Sequence, residues 1–62
     1  MKTNELKRLL LKKGCRLQRH GSRHDMWLNS NNGHTAMVPR HDAQEVGTGL
    51  YKKIMIQLFG TD

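Results

Sequence analysis

The chain has 62 residues, with 11 Lys and Arg against 5 Asp and Glu, a net charge of +6. A chain this short buries only about 60% of its unfolded surface; it allows one small domain over residues 1–62 and leaves little room for a deep, dry catalytic cavity. With 35% hydrophobic residues and one each of Trp, Tyr and Phe, it has a thin core. The excess positive charge favours a polyanionic partner through phosphate neutralisation and counterion release.

Thr3 to Lys13 reads as a helix, capped by Thr3 or Asn4, whose side-chain oxygens accept an orphan N–H. Glu5 lies in the first turn and Lys12 and Lys13 in the last, where the helix dipole favours each sign. Leu6, Leu9 and Leu10 form the apolar stripe. Lys7, Arg8 and Lys12 are left for solvent. Gly14 is the natural left-handed stop. Cys15 to Arg19 alternates, with Cys15 and Leu17 on one face. Residues 24–29 form a second strand in which apolar residues fall on both faces, so its inward phase is ambiguous. Asn29-Ser30-Asn31-Asn32-Gly33 is a turn. Thr35 to Val38 is a third strand, ended by Pro39. Arg40 to Gly47 is polar and irregular. A last helix runs from a Thr48 cap to about Phe59, with Leu50, Ile54 and Leu58 in register, and Gly60 stops it. The order is α-β-β-β-α. Short connections imply an antiparallel meander with both helices on one sheet face, the other face being left to solvent or a ligand.

No apolar run approaches the roughly 18 residues that span a bilayer. The N-terminus has no signal-peptide apolar core or cleavage site. Cys15 is the only cysteine, so no internal disulfide forms; this fits a reducing cytoplasm. No helix is both strongly apolar and strongly basic, so a membrane surface is a weak candidate partner.

The densest chemistry is HGSRHDMW, His20 to Trp27. His20 and His24 flank a Gly-Ser turn. Four-residue spacing makes one ligand face only on a helix, and His34 and His41 lie in other loops, so no metal site is expected. Nucleophilic catalysis by Ser22 or Cys15 lacks a positioned base and oxyanion hole, and Cys15 reads as a core residue. RNA cleavage needs less: the substrate supplies its own 2′-OH nucleophile, and the protein must move protons and stabilise charge on phosphorus. Histidine titrates in the range for proton transfer, and the planar fork of arginine suits phosphate oxygens. His24 is therefore the candidate acid/base. Arg19, Arg23 and Arg40 are candidates for the phosphate backbone, with Ser22 inside the turn and His41, Lys52 and Lys53 as further RNA contacts. Strand alternation points Asp25 away from His24. His20 reads as a solvated strand end, Trp27 as core or interface, and Lys52 and Lys53 equally as a solvated helix face.

The strings RHGSRHDMW, MVPRH and LYKKIMIQLFG, with an opening ELKRLLLKKG, resemble the HicA family of bacterial toxins over nearly the whole chain. The resemblance implies an mRNA interferase paired with a HicB-type antitoxin. It also implies an α+β fold of the double-stranded-RNA-binding-domain type: a three-stranded antiparallel sheet with two helices on one face. The family's catalytic histidine closes a G-S-x-H motif, which is His24 here. Many members carry a second histidine just before it, where this chain has Arg23, which points to a charge or binding role at that position. The expected activity is metal-independent cleavage of single-stranded RNA without a cofactor. A non-catalytic RNA-binding module has the same fold and charge and remains the alternative, followed by a pure protein-interaction domain. A HicB-type antitoxin is expected to lay an acidic surface over the His24 corner, with Trp27 or Tyr51 as its anchor.

Overall fold

The computed structural model of the protein describes residues 1–60. Five elements follow one another: α1 (Thr3–Lys12), β1 (Cys15–His20), β2 (His24–Asn29), β3 (Thr35–Pro39) and α2 (Thr48–Phe59). The strands form one antiparallel sheet in the order β1-β2-β3. This is the α+β order read from periodicity.

Periodicity also locates the core. Leu6 and Leu10 of α1 and Ile54 and Leu58 of α2 are fully buried, and they pack with Cys15, Trp27, Ala36 and Val38 of the sheet. On β2 the phase left ambiguous by the sequence is settled: Asp25, Trp27 and Asn29 point to the helices, while Met26 and Leu28 are half-buried and His24 is exposed on the other face. Cys15 is buried as expected, and desolvation pushes its thiol pKa up. Leu17 shares that phase but sits toward the sheet margin and is 39% exposed.

Both helix ends differ from the expected caps. The N-cap of α1 is Lys2, with Thr3 already helical, and the N-cap of α2 is Gly47, neither capping through its own side chain; in α1 the Glu5 carboxylate accepts the Lys2 N–H and the Asn4 side-chain oxygen accepts the Glu5 N–H, each at 2.9 Å. Long-range backbone partners take over the first turn of α1. The Thr3 and Asn4 N–H groups donate to the carbonyls of Gln44 and Asp42 at 2.9 and 3.1 Å, and the Thr3 hydroxyl donates to Gln44 at 3.0 Å. The irregular segment after β3 is therefore stitched to α1 and carries Val46 into the core. Lys7, expected in solvent, donates to the Arg40 carbonyl at 3.1 Å and to Asp42 Oδ1 at 2.8 Å. The C-terminal stops match the sequence: Gly14 and Gly60 both adopt positive φ, which costs glycine little. The β2–β3 turn closes onto the end of α2, where buried Asn29 and exposed Asn32 both donate to the Leu58 carbonyl, at 2.9 and 3.0 Å.

One irregularity in the sheet positions the site. β1 pairs with β2 as Cys15↔Asn29, Arg16↔Leu28 and Leu17↔Trp27, then skips to Arg19↔Met26 and His20↔Asp25. Gln18 is the extra residue of a β-bulge, which re-aims the side chains beyond it. Without it Arg19 would face Asp25. With it His20 faces Asp25 on the helix side, and Arg19 falls in a cross-strand row with Met26 and Met37 on the open side.

Candidate nucleic-acid interface

The corner at Gly21-Ser22-Arg23 joins β1 to β2 and separates two groups of side chains. Gly21 is required there by close approach, because a Cβ at that position would lie 2.2 Å from the His24 carbonyl oxygen. Ser22 and Arg23 are exposed at the tip.

On the helix side, Asp25 is 3% exposed. Its Oδ1 accepts from His20 Nδ1 at 3.1 Å and lies 3.8 Å from Arg40 Nε. Burial works against the charge, but the His20 hydrogen bond, the His20 charge, the Gly21 N–H and the Arg40 guanidinium together outweigh it. The Asp25 carboxyl is held below its ordinary range. Arg40 also donates from Nη1 to the Gly21 carbonyl at 3.0 Å. One edge of its fork is thus pinned, while its side chain stays 43% exposed. Lys7 holds the Arg40 carbonyl from behind. The His20 ring is 63% exposed, as expected of a solvated strand end, yet one of its nitrogens is committed to a buried carboxylate.

On the open side, His24 stands at the start of β2, opposite Pro39. It forms part of a groove of about 390 Å³ whose other walls include Met26, Thr35 and Met37 of the sheet and Lys53 and Gln57 of α2, with Leu50 and Ile54 beneath. Arg19 shares this open face. The sequence candidates therefore divide. His24 and Arg19 lie on the open face, and Lys53 of α2 meets His24 only across the groove at the β3 edge; Arg40 belongs to the Asp25 cluster; Ser22 and Arg23 form the tip between them. His41 is exposed in the following loop. Lys52 is exposed and does not line the groove, since consecutive helical residues point about 100° apart. Trp27 is 5% exposed and belongs to the core, so it offers no anchor to a partner; Tyr51 is half-buried and keeps that possibility.

Sequence reasoning missed the His20–Asp25 pair because strict alternation across from Asp25 selects Arg19, and no local signal marks the bulge. It also missed the groove, whose walls come from three elements. Among the described residues no three His, Cys, Asp or Glu side chains group as a metal site, and no helix is long and apolar enough to cross a membrane.

A helix-covered three-stranded sheet with a basic, histidine-bearing open face defines a small α+β domain of the double-stranded-RNA-binding-domain type. The family model for the HicA toxin of bacterial toxin-antitoxin systems matches residues 3–58, and the chain belongs to that family. It is the toxin component of such a pair, and its family partner is a HicB antitoxin. No curated protein and no solved structure matches the chain.

Proposed function

We propose that this toxin is a metal-independent endoribonuclease that cuts single-stranded mRNA and so stops translation, with His24 as its general acid/base. The observation that carries the reading is the placement of His24: an exposed imidazole on the one sheet face that the helices leave open, at the edge of a groove and on the same face as Arg19. In this mechanism the ribose 2′-oxygen attacks the adjacent phosphorus as its proton passes to a base. The 5′-oxygen leaves as it takes a proton. The products are a 2′,3′-cyclic phosphate and a 5′-hydroxyl. The protein supplies proton transfer through His24 and phosphate neutralisation through Arg19, Arg23 and Arg40. Ser22, His41, Lys52 and Lys53 serve as further contacts along the strand. The pinned fork of Arg40 is ordered before RNA arrives, so less side-chain freedom is lost when its outer N–H groups meet a phosphate.

The test is cleavage of an end-labelled single-stranded RNA by purified toxin in EDTA, alongside His24→Ala. Wild type should leave cyclic phosphate ends. His24→Ala should lose about 10²–10⁴ in rate, the usual scale of acid–base catalysis, with stability changed by less than about 0.5 kcal/mol, as for exposed positions. Cleavage that needs added Mg²⁺, or a His24→Ala rate equal to wild type, would overturn the mechanism. RNA that is bound by both proteins and cut by neither would identify a non-catalytic binding module.

A further inference from the structure

We propose that the groove between β3 and α2 is a nucleobase subsite: it receives one unstacked base of single-stranded RNA, next to the phosphate presented to His24. The proposal rests on the ribonuclease reading and extends it to substrate selection. His24 itself lines the groove, so a strand whose phosphate meets that imidazole has a neighbouring nucleotide at the groove mouth. The volume of about 390 Å³ lies in the range of about 300–1,000 Å³ typical of small-ligand sites.

The walls have the chemistry of a base site. Met26 and Met37 stand side by side across the β2–β3 register. Met37 is 45% exposed, so its thioether is open to a ligand in the groove. Its Cε lies 3.9 Å from where a Gly21 Cβ would stand, so this side chain runs between the groove and the corner. Polarisable thioethers make favourable contacts with aromatic rings, and every base presents a π-face. The ordinary stacking residues are committed elsewhere: Trp27 to the core, Phe59 beneath the Lys13 ammonium at 5.6 Å, and Tyr51 to a different surface hollow. The rim is polar. Gln57 carries an acceptor and two donors on one amide, and Thr35 a hydroxyl, which suits the edge of an unpaired base. Lys53 adds a cation for a flanking phosphate, and among the described residues no carboxylate lines the groove. This arrangement fits a base attached to an anionic backbone.

The experiment measures two quantities on purified toxin. Binding is followed with homopolymeric rA, rC, rG and rU oligonucleotides in the uncut His24→Ala background. Cut sites are mapped on a mixed RNA pool with His24 intact. Met37→Ala should weaken binding by up to about tenfold, the upper end for one thioether–aromatic contact, and Met37→Leu should restore most of it. Gln57→Glu keeps the size of the side chain but removes two donors and adds a negative charge. It should change the base preference at one position beside the cut while cutting persists. Both residues are exposed, so thermal unfolding should be unchanged, which separates a lost contact from a lost fold. Wild-type affinities and an unaltered cut-site map in all three variants would overturn the subsite and leave the ribonuclease reading standing if His24→Ala is still inactive. The same RNA behaviour combined with weakened antitoxin binding would reassign the groove to the protein partner and also overturn it. Failure of wild type to cut any RNA would remove the ribonuclease reading, and the subsite with it.

Discussion

The Nδ1 of exposed His20 lies 3.1 Å from the carboxylate of buried Asp25, a pairing created by one extra residue, Gln18, in β1. The pair holds the strand ends together beneath the turn that carries Ser22 and Arg23. It also fixes the carboxylate beside Arg40.

The pair has a predictable pH signature. Asp25 ionises in the folded chain at lower pH than in the unfolded chain, despite its burial, because His20, the Gly21 N–H and Arg40 favour the charged form. Its stabilising contribution is therefore present above the ordinary carboxylate pKa of about 3.9 and is lost as pH falls through the lower folded value. Asp25→Asn should unfold at lower temperature than wild type at neutral pH. The gap should narrow as pH drops below about 4. A gap of the same size at pH 3 and pH 7 would show that the charge of Asp25 does not matter to the fold.

Gly21 has no room for a side chain. Replacement by Ala sets a methyl 2.2 Å from the His24 carbonyl oxygen, and the backbone atom it meets cannot swing aside as a side chain would. Gly21→Ala should cost about 1–3 kcal/mol, as for other overpacked sites. It should also reduce cleavage, because the same shift displaces His24. Chemical denaturation and a cleavage assay on the variant check both halves; a fully stable Gly21→Ala protein would mean that the corner relaxes without strain.

Arg19, Arg23 and Arg40 should be separable by salt dependence. Loss of one phosphate contact to a single strand lowers the slope of log affinity against log salt by about 0.7. Arg19→Ala and Arg23→Ala should do this with little effect on stability, since both side chains are exposed. Arg40→Ala should also lower the melting temperature, because Arg40 holds Gly21 and sits against Asp25. An unchanged salt slope with altered base preference would make any of these a base-reading residue.

Control by the antitoxin should be competitive. The described surface around His24 is basic and open, and complementary charge speeds association and fixes register. An acidic HicB-type surface laid over His24, Arg19 and the Ser22-Arg23 tip would exclude RNA. Tyr51 can serve as an anchor; buried Trp27 cannot. Titration of antitoxin into labelled RNA bound to His24→Ala toxin should release the RNA stoichiometrically. A stable ternary complex with undiminished RNA affinity would show that inhibition acts by distortion at another surface.

The amino-acid sequence by itself determined the order of elements, both glycine stops, and the stripes Leu6/Leu10 and Ile54/Leu58. Each depends on neighbours within one or two turns, which periodicity reports directly. It also singled out the Gly-Ser corner and His24 beside it. Only the tertiary structure decided which side of β2 faces the helices, because Met26, Trp27 and Leu28 are apolar in succession and alternation has no unique phase there. The same is true of the bulge that gives Asp25 to His20, and of the tie from Lys7 to Arg40 and Asp42, 33 and 35 residues away. Val46 joins the core from a segment with no regular period, and the groove beside His24 combines β2, β3 and α2. Such features depend on register and on which elements meet across the fold, and a buried carboxylate or a pinned arginine exists only after those distant backbones have been brought together.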